Sequence, residues 1–186
     1  MCRQKRVDSP FLSIESFNRL QPFMPYFKLY TLNGGGESLM HPDYLEMLKT
    51  VKECSSPSAI IAFNTNAILL DEKKIDFIVS LGINHITVSV DSPVKDTYEK
   101  IRRGADFDRL KRNLKQILYS KKQYNTIHPY LIFQMVVMKC NVQELKEYIE
   151  FANDFGVKDV CLTNVEAGNQ DENDMGMRLL FHEHKL

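Results

Sequence analysis

Apolar residues follow two alternating rhythms along this chain. Short runs rich in β-branched and aromatic residues recur at 27–32, 59–63, 85–90, 130–138 and 157–163. Between them lie stretches in which apolar residues return every three or four positions. That alternation predicts repeated strand–helix units and a parallel sheet.

Punctuation residues sharpen the pattern. A helix is expected from about Pro42, whose ring suits a first turn, with Leu45, Leu48 and Val51 as its buried stripe. Another near Asp71 carries Ile75, Ile78 and Val79 inward and is closed by Gly82 as a left-handed cap. Asp91-Ser92-Pro93 reads as strand exit, N-cap and first helical residue of a short helix ended by Gly104. Phe107, Leu110, Leu114, Ile117 and Leu118 share one face of a long helix, which leaves its Lys and Arg residues in water. Asn141 with Glu144 three residues later resembles a capping box, and Gly156 ends that helix. Upstream, Ser13 and Ser16 precede Phe17, Leu20 and Phe23, so residues 13–24 are expected to be helical.

No linker or repeat interrupts residues 27–164, and 186 residues suit one domain. The segment 167–176 is polar and turn-rich, which suggests a core over 1–166 and a tail over 167–186. No strand precedes the first helix, so both ends are expected to be cut and one sheet edge left unpaired.

Composition narrows the partners. Lys plus Arg equals Asp plus Glu at 24 each, so no field draws the chain to nucleic acid or anionic membrane. No apolar run approaches the ~20 residues that span a bilayer, and the N-terminus lacks a signal-peptide core. The expected place is the cytoplasm, with a small molecule or peptide as partner. Cys2, Cys54, Cys140 and Cys161 form no CxxC pair, and the last three are expected to be core thiols. The histidines at 41, 85, 128, 182 and 184 show no ligand spacing.

In parallel strand–helix folds, ligands sit at the carboxyl ends of the strands, so polar exit residues are the candidates. Gly34, Gly35, Gly36 and Glu37 either let a ligand approach the backbone beside a charged acceptor or simply make a turn. A phosphate cradle is disfavoured, because no Lys-Ser/Thr ending follows and Glu37 repels phosphate. Gln134 interrupts an apolar strand. A buried amide needs partners, so it is expected to face the lumen of a curved sheet and a ligand there.

The segment Leu32-Asn33-Gly34-Gly35-Gly36-Glu37-Ser38-Leu39-Met40-His41-Pro42-Asp43 resembles the Gly-Gly-Glu-Pro-Leu-Leu-His-Pro-Asp segment of radical S-adenosylmethionine (SAM) enzymes. The resemblance continues in order through Asn64-Thr65-Asn66, Ser89-Val90-Asp91 and residues 98–104. Ser38 departs from the family's usual Pro, and Ala67 from a frequent Gly after Asn66.

This resemblance implies a partial (β/α)6-type barrel without its first strand, and binding of SAM. It assigns Gly35, Gly36 and Glu37 to the SAM amino group, and Asn66, Ser89 and Asp91 to its methionyl and ribose parts. Arg102 would pair with its carboxylate. Each also has a plain reading: Ser89 as a strand hydroxyl, Asp91 as a helix N-terminal partner, Arg102 as a surface charge, Asn141 as a cap only. The family's CxxxCxxC motif holds a 4Fe-4S cluster, and Cys2 resembles its last cysteine. One thiolate does not replace three, so the 186-residue chain alone is expected to be inactive. An electron donor such as a flavodoxin or ferredoxin is implied for a complete enzyme. The competing readings are a cluster-free module that binds SAM or a peptide, and an ordinary barrel enzyme using Lys139 and Glu166 as acid–base groups.

Overall fold

A computed structural model describes residues 11–164. Among these residues, five strands form a single parallel sheet: β1 (Leu29–Thr31), β2 (Ile60–Thr65), β3 (His85–Ser89), β4 (Tyr130–Val137) and β5 (Asp159–Asn164). Their spatial order is their sequence order, with no reversal. Right-handed crossovers then place every connecting helix on the same face, which lets the sheet curl as a barrel wall does.

Burial along the strands shows the two faces. Ile61, Phe63, Ile86, Val88, Leu131, Phe133 and Met135 point into the core. Their alternates Asn64, Thr87, Ser89, Gln134 and Cys161 are half-buried or exposed. The uncovered face is thus polar toward the carboxyl ends of the strands.

The helices are α1 (Ile14–Asn18), α2 (Tyr44–Cys54), α3 (Glu72–Ser80), α4 (Lys95–Ile101), α5 (Phe107–Gln123) and α6 (Leu145–Asp154). On α5, Phe107, Leu110, Leu114 and Ile117 are buried, as the spacing predicts. Phe107, Phe133, Phe151 and Phe155 stack and tilt against one another at ring separations of 5.0 to 6.2 Å. Gly82 and Gly156 close α3 and α6 at φ +68° and +66°, in the left-handed region where a side chain is strained.

Several local expectations are corrected. The 13–24 helix is broken: α1 ends at Asn18 and a 3-10 turn runs Gln21–Tyr26. Pro22 and Pro25 explain the break, since proline donates no backbone hydrogen bond and crowds the preceding turn. The helix expected from Pro42 starts at Tyr44. Ser92 does not cap α4. Val94 holds that position, and Ser92 instead accepts from the Val94 N–H at 2.9 Å, making its own turn. Asn141 holds the N-cap position of a 3-10 turn, Val142–Glu144, but its side chain makes no capping bond, because it is spent on Met138, Asp91 and Val136. Of the thiols expected in the core, Cys54 is half-buried and packs against it, whereas Cys140 and Cys161 are exposed.

Candidate functional site at the carboxyl ends of the strands

Strand-exit residues meet at the carboxyl edge of β1 to β4. Gly34, Gly35 and Gly36 leave β1 exposed. A Cβ placed on Gly34 or Gly36 would meet nothing within 4 Å. Neither residue needs glycine for its own backbone, so the missing side chains leave open space rather than relieve strain.

Glu37 turns back into the protein. Its carboxylate accepts from the Thr65 hydroxyl at 2.6 Å, the Asn66 N–H at 2.7 Å and the Leu39 N–H at 3.2 Å. It thereby ties the exit of β1 to that of β2. Asn33 acts in parallel, its side-chain oxygen accepting from the Asn64 N–H at 2.7 Å. His41 fixes the following turn, with Nδ1 accepting from the Asp43 N–H at 3.0 Å and Nε2 therefore donating to the Leu12 carbonyl at 2.7 Å. The buried Ser38 donates to the Leu32 carbonyl, as does Tyr44 at 2.8 Å. Burial is the main cause that pushes the Tyr44 phenol up, so it stays a donor.

At the β2 exit the Asn66 side-chain oxygen accepts from the Ile68 N–H at 2.9 Å. Ala67 follows at φ 60°, a left-handed residue, which explains why glycine suits this place. On the next two strands Ser89 lies opposite Gln134 in register, on the uncovered face. Neither side chain bonds to another described residue, so a hydroxyl and an amide stand side by side with capacity for a ligand.

Asp91 and Arg102 sit deeper. Asp91 is 4% exposed, and one of its oxygens accepts from the Val136 N–H at 2.9 Å. The other lies 2.7 Å from Arg102 Nε. Asn141, fully buried, accepts from the Met138 N–H and donates to the carbonyls of Asp91 and Val136 at 2.7 to 2.9 Å. Glu144 takes bonds from the hydroxyls of Ser92 and Thr97. Sequence reasoning missed this network, although a polar Asn141 following a long apolar strand was its visible signal.

Among the described residues no three His, Cys, Asp or Glu side chains gather as a metal site. The described cysteines do not fit an iron–sulfur cluster, being scattered over α2, the β4 exit and β5. Cys2 and Glu166 lie outside the described residues, and Lys139 is exposed. No helix among the described residues is long and apolar enough to cross a membrane.

The likeness to known proteins follows this geometry. The chain is 28% identical over 122 residues to the probable GTP 3',8-cyclase of Methanocaldococcus jannaschii, covering 66% of this chain and 38% of the relative. It is 24% identical over 145 residues to the tungsten-containing aldehyde ferredoxin oxidoreductase cofactor-modifying protein of Pyrococcus furiosus, covering 76% and 39%. The fold matches Streptococcus suis SuiB bound to S-adenosylmethionine at a TM-score of 0.65 and 14% identity, over 90% of this chain and 36% of SuiB. SuiB bound to the precursor peptide SuiA matches at 0.65 and 15% identity, over 89% and 35%. The chain therefore spans less than two fifths of the length of these relatives. A model of the Radical SAM superfamily matches residues 24–152, which takes in β1 through most of α6, and the chain belongs to that superfamily.

Proposed function

We propose that this chain binds S-adenosylmethionine across the exits of β1 to β4 and forms the core of a radical SAM enzyme. One observation carries the reading. The open glycines beside Glu37 share an edge with the unpartnered Ser89 and Gln134. An amine-bearing ligand fits that donor set, since exposed backbone and amide and hydroxyl groups can orient it while Glu37 keeps the platform rigid. Arg102, with N–H groups left over, suits the ligand's carboxylate. In this reading Asn66, whose N–H donates to Glu37, borders the same ligand.

In a complete enzyme a 4Fe-4S cluster would supply the electron for reductive cleavage of SAM. Its one candidate ligand here is Cys2. An electron donor such as a flavodoxin or ferredoxin belongs to that reading. SuiB, bound to a precursor peptide, makes a peptide a reasonable substrate class beside small molecules. A cluster-free SAM- or peptide-binding module is the second reading, because the described cysteines do not converge.

The test is titration calorimetry of SAM into the wild type and Gly36→Ala. A Cβ at Gly36 meets nothing in the protein. The variant should therefore melt like the wild type yet bind SAM about tenfold more weakly, on the order of 1.4 kcal/mol. Equal affinity of the two proteins sinks the site. The nucleotide sequence upstream separates the readings: two further in-frame cysteines, three and seven residues before Cys2, support a cluster enzyme, and their absence the cluster-free module.

A further inference from the structure

A carboxylate as enclosed as that of Asp91 needs partners for its charge. Its first oxygen is spent on the β4 backbone through Val136. Its second faces Arg102 across 2.7 Å, with side-chain exposures of 5% for Asp91 and 22% for Arg102. The Nε–H is not directed along that contact, and Nε has no other hydrogen-bond partner. Charge thus restrains the guanidinium without a directed bond there. Asp91 itself has little freedom, because Asn141 grips its carbonyl and the Val90 N–H donates to Gln134 at 2.8 Å. The fully buried phenols of Tyr98 and Tyr148 feel both charges, and their hydroxyls bond to no protein group. They therefore do not compete for either charge by hydrogen bonding.

We infer that Asp91 is a positioning residue, which does not touch the ligand but holds the Arg102 guanidinium at the strand exits to receive a ligand carboxylate. This rests on the proposed SAM site, and it assigns Asp91 a place behind Arg102 rather than against the ribose. Asp91 performs two separable tasks. The hydrogen bond to Val136 belongs to the fold, and the charge belongs to Arg102. Asparagine at 91 keeps an acceptor for Val136 but removes the charge.

The experiment titrates SAM and decarboxylated SAM into the full 186-residue wild type, Asp91→Asn, Arg102→Gln and the double variant. Asp91→Asn should weaken SAM about tenfold and leave decarboxylated SAM unchanged. The double variant should bind no worse than Arg102→Gln, since both residues act through one contact. Equal weakening of both compounds by Asp91→Asn marks a purely structural role and overturns the inference. So does unchanged SAM affinity in Asp91→Asn where Arg102→Gln loses it. Should Asp91→Asn fail to fold, Arg102→Lys decides. It keeps the charge that Asp91 needs but loses the planar fork, so it should melt like the wild type and lose the preference for SAM over the analogue. A retained preference overturns the inference. A wild type that binds neither compound overturns the proposed function instead. Melting temperatures of the four proteins then still judge the pair, since additive losses refute it and non-additive losses support it.

Discussion

Side-chain oxygens finish the ladder at several strand ends. Glu37 serves Asn66, Asn33 serves Asn64, Asn84 serves Ile61 and Asp91 serves Val136. Each covers a backbone N–H that the neighbouring strand leaves open, and an uncovered buried N–H is costly. This is why the sequence marked the exits correctly but left the duties of individual residues undecided. A polar residue after an apolar run signals an exit, whether it faces a ligand or a neighbouring amide. Asn141 is the sharpest case, because its spacing to Glu144 suited a helix cap while its side chain went to Met138, Asp91 and Val136. Asn141→Ala strands one buried N–H and two carbonyls, so it should cost about 3 kcal/mol or more. Urea unfolding measures this, and a loss below about 1 kcal/mol would remove Asn141 from the network.

At the scale of elements, long periodic segments were the most legible. The stripe on α5 and the inward residues of α3 follow from a 3.6-residue period and need no tertiary context. Starts were less legible, because tertiary partners compete for capping residues. Ser92 has the chemistry of a cap, but its oxygen accepts from the Val94 N–H in a tight turn of its own while its hydroxyl donates to Glu144, and α4 begins later at Lys95. The upstream helix failed where two prolines sit among good apolar spacing, and spacing alone does not count backbone donors. Gly82, read from sequence as a left-handed stop, has φ +68° with only the flexible end of Lys52 near its Cβ position. Gly82→Ala should therefore cost about 1 kcal/mol through backbone strain rather than collision. A thermal melt checks it, and an unchanged midpoint would show that α3 tolerates another ending.

For the whole molecule, strand count and direction were readable from the alternation of runs, and the sequential order means that one face carries the helices. Cys140 and Cys161 were misjudged because residue type alone does not tell a covered from an open position, and Cys161 falls on the open face beside Gln134. Burial also sets how the protein meets alkali. The Tyr98 phenol is pushed up to about 12 and that of Tyr148 is raised as well, in both cases first by burial. Once unfolded, each returns to about 10. A raised folded-state value stabilises below the unfolded one and is lost as pH climbs through the folded one, so stability should fall between about pH 10 and 12. Phenolate absorbance should then rise together with loss of circular dichroism, and ionisation of these tyrosines before unfolding would contradict their burial. The tethers at the strand exits carry a mechanical consequence. Glu37 fastens the first exit to the second, while Asp91 and Asn141 fasten the third to the fourth. Between the second and third exits the backbone ladder runs up to Thr65 and Val88, but among the described residues no side chain bridges Asn66 to Ser89. A molecule lying from Gly36 to Gln134 crosses that gap, and it adds the cross-brace that side chains supply at the exits on either side.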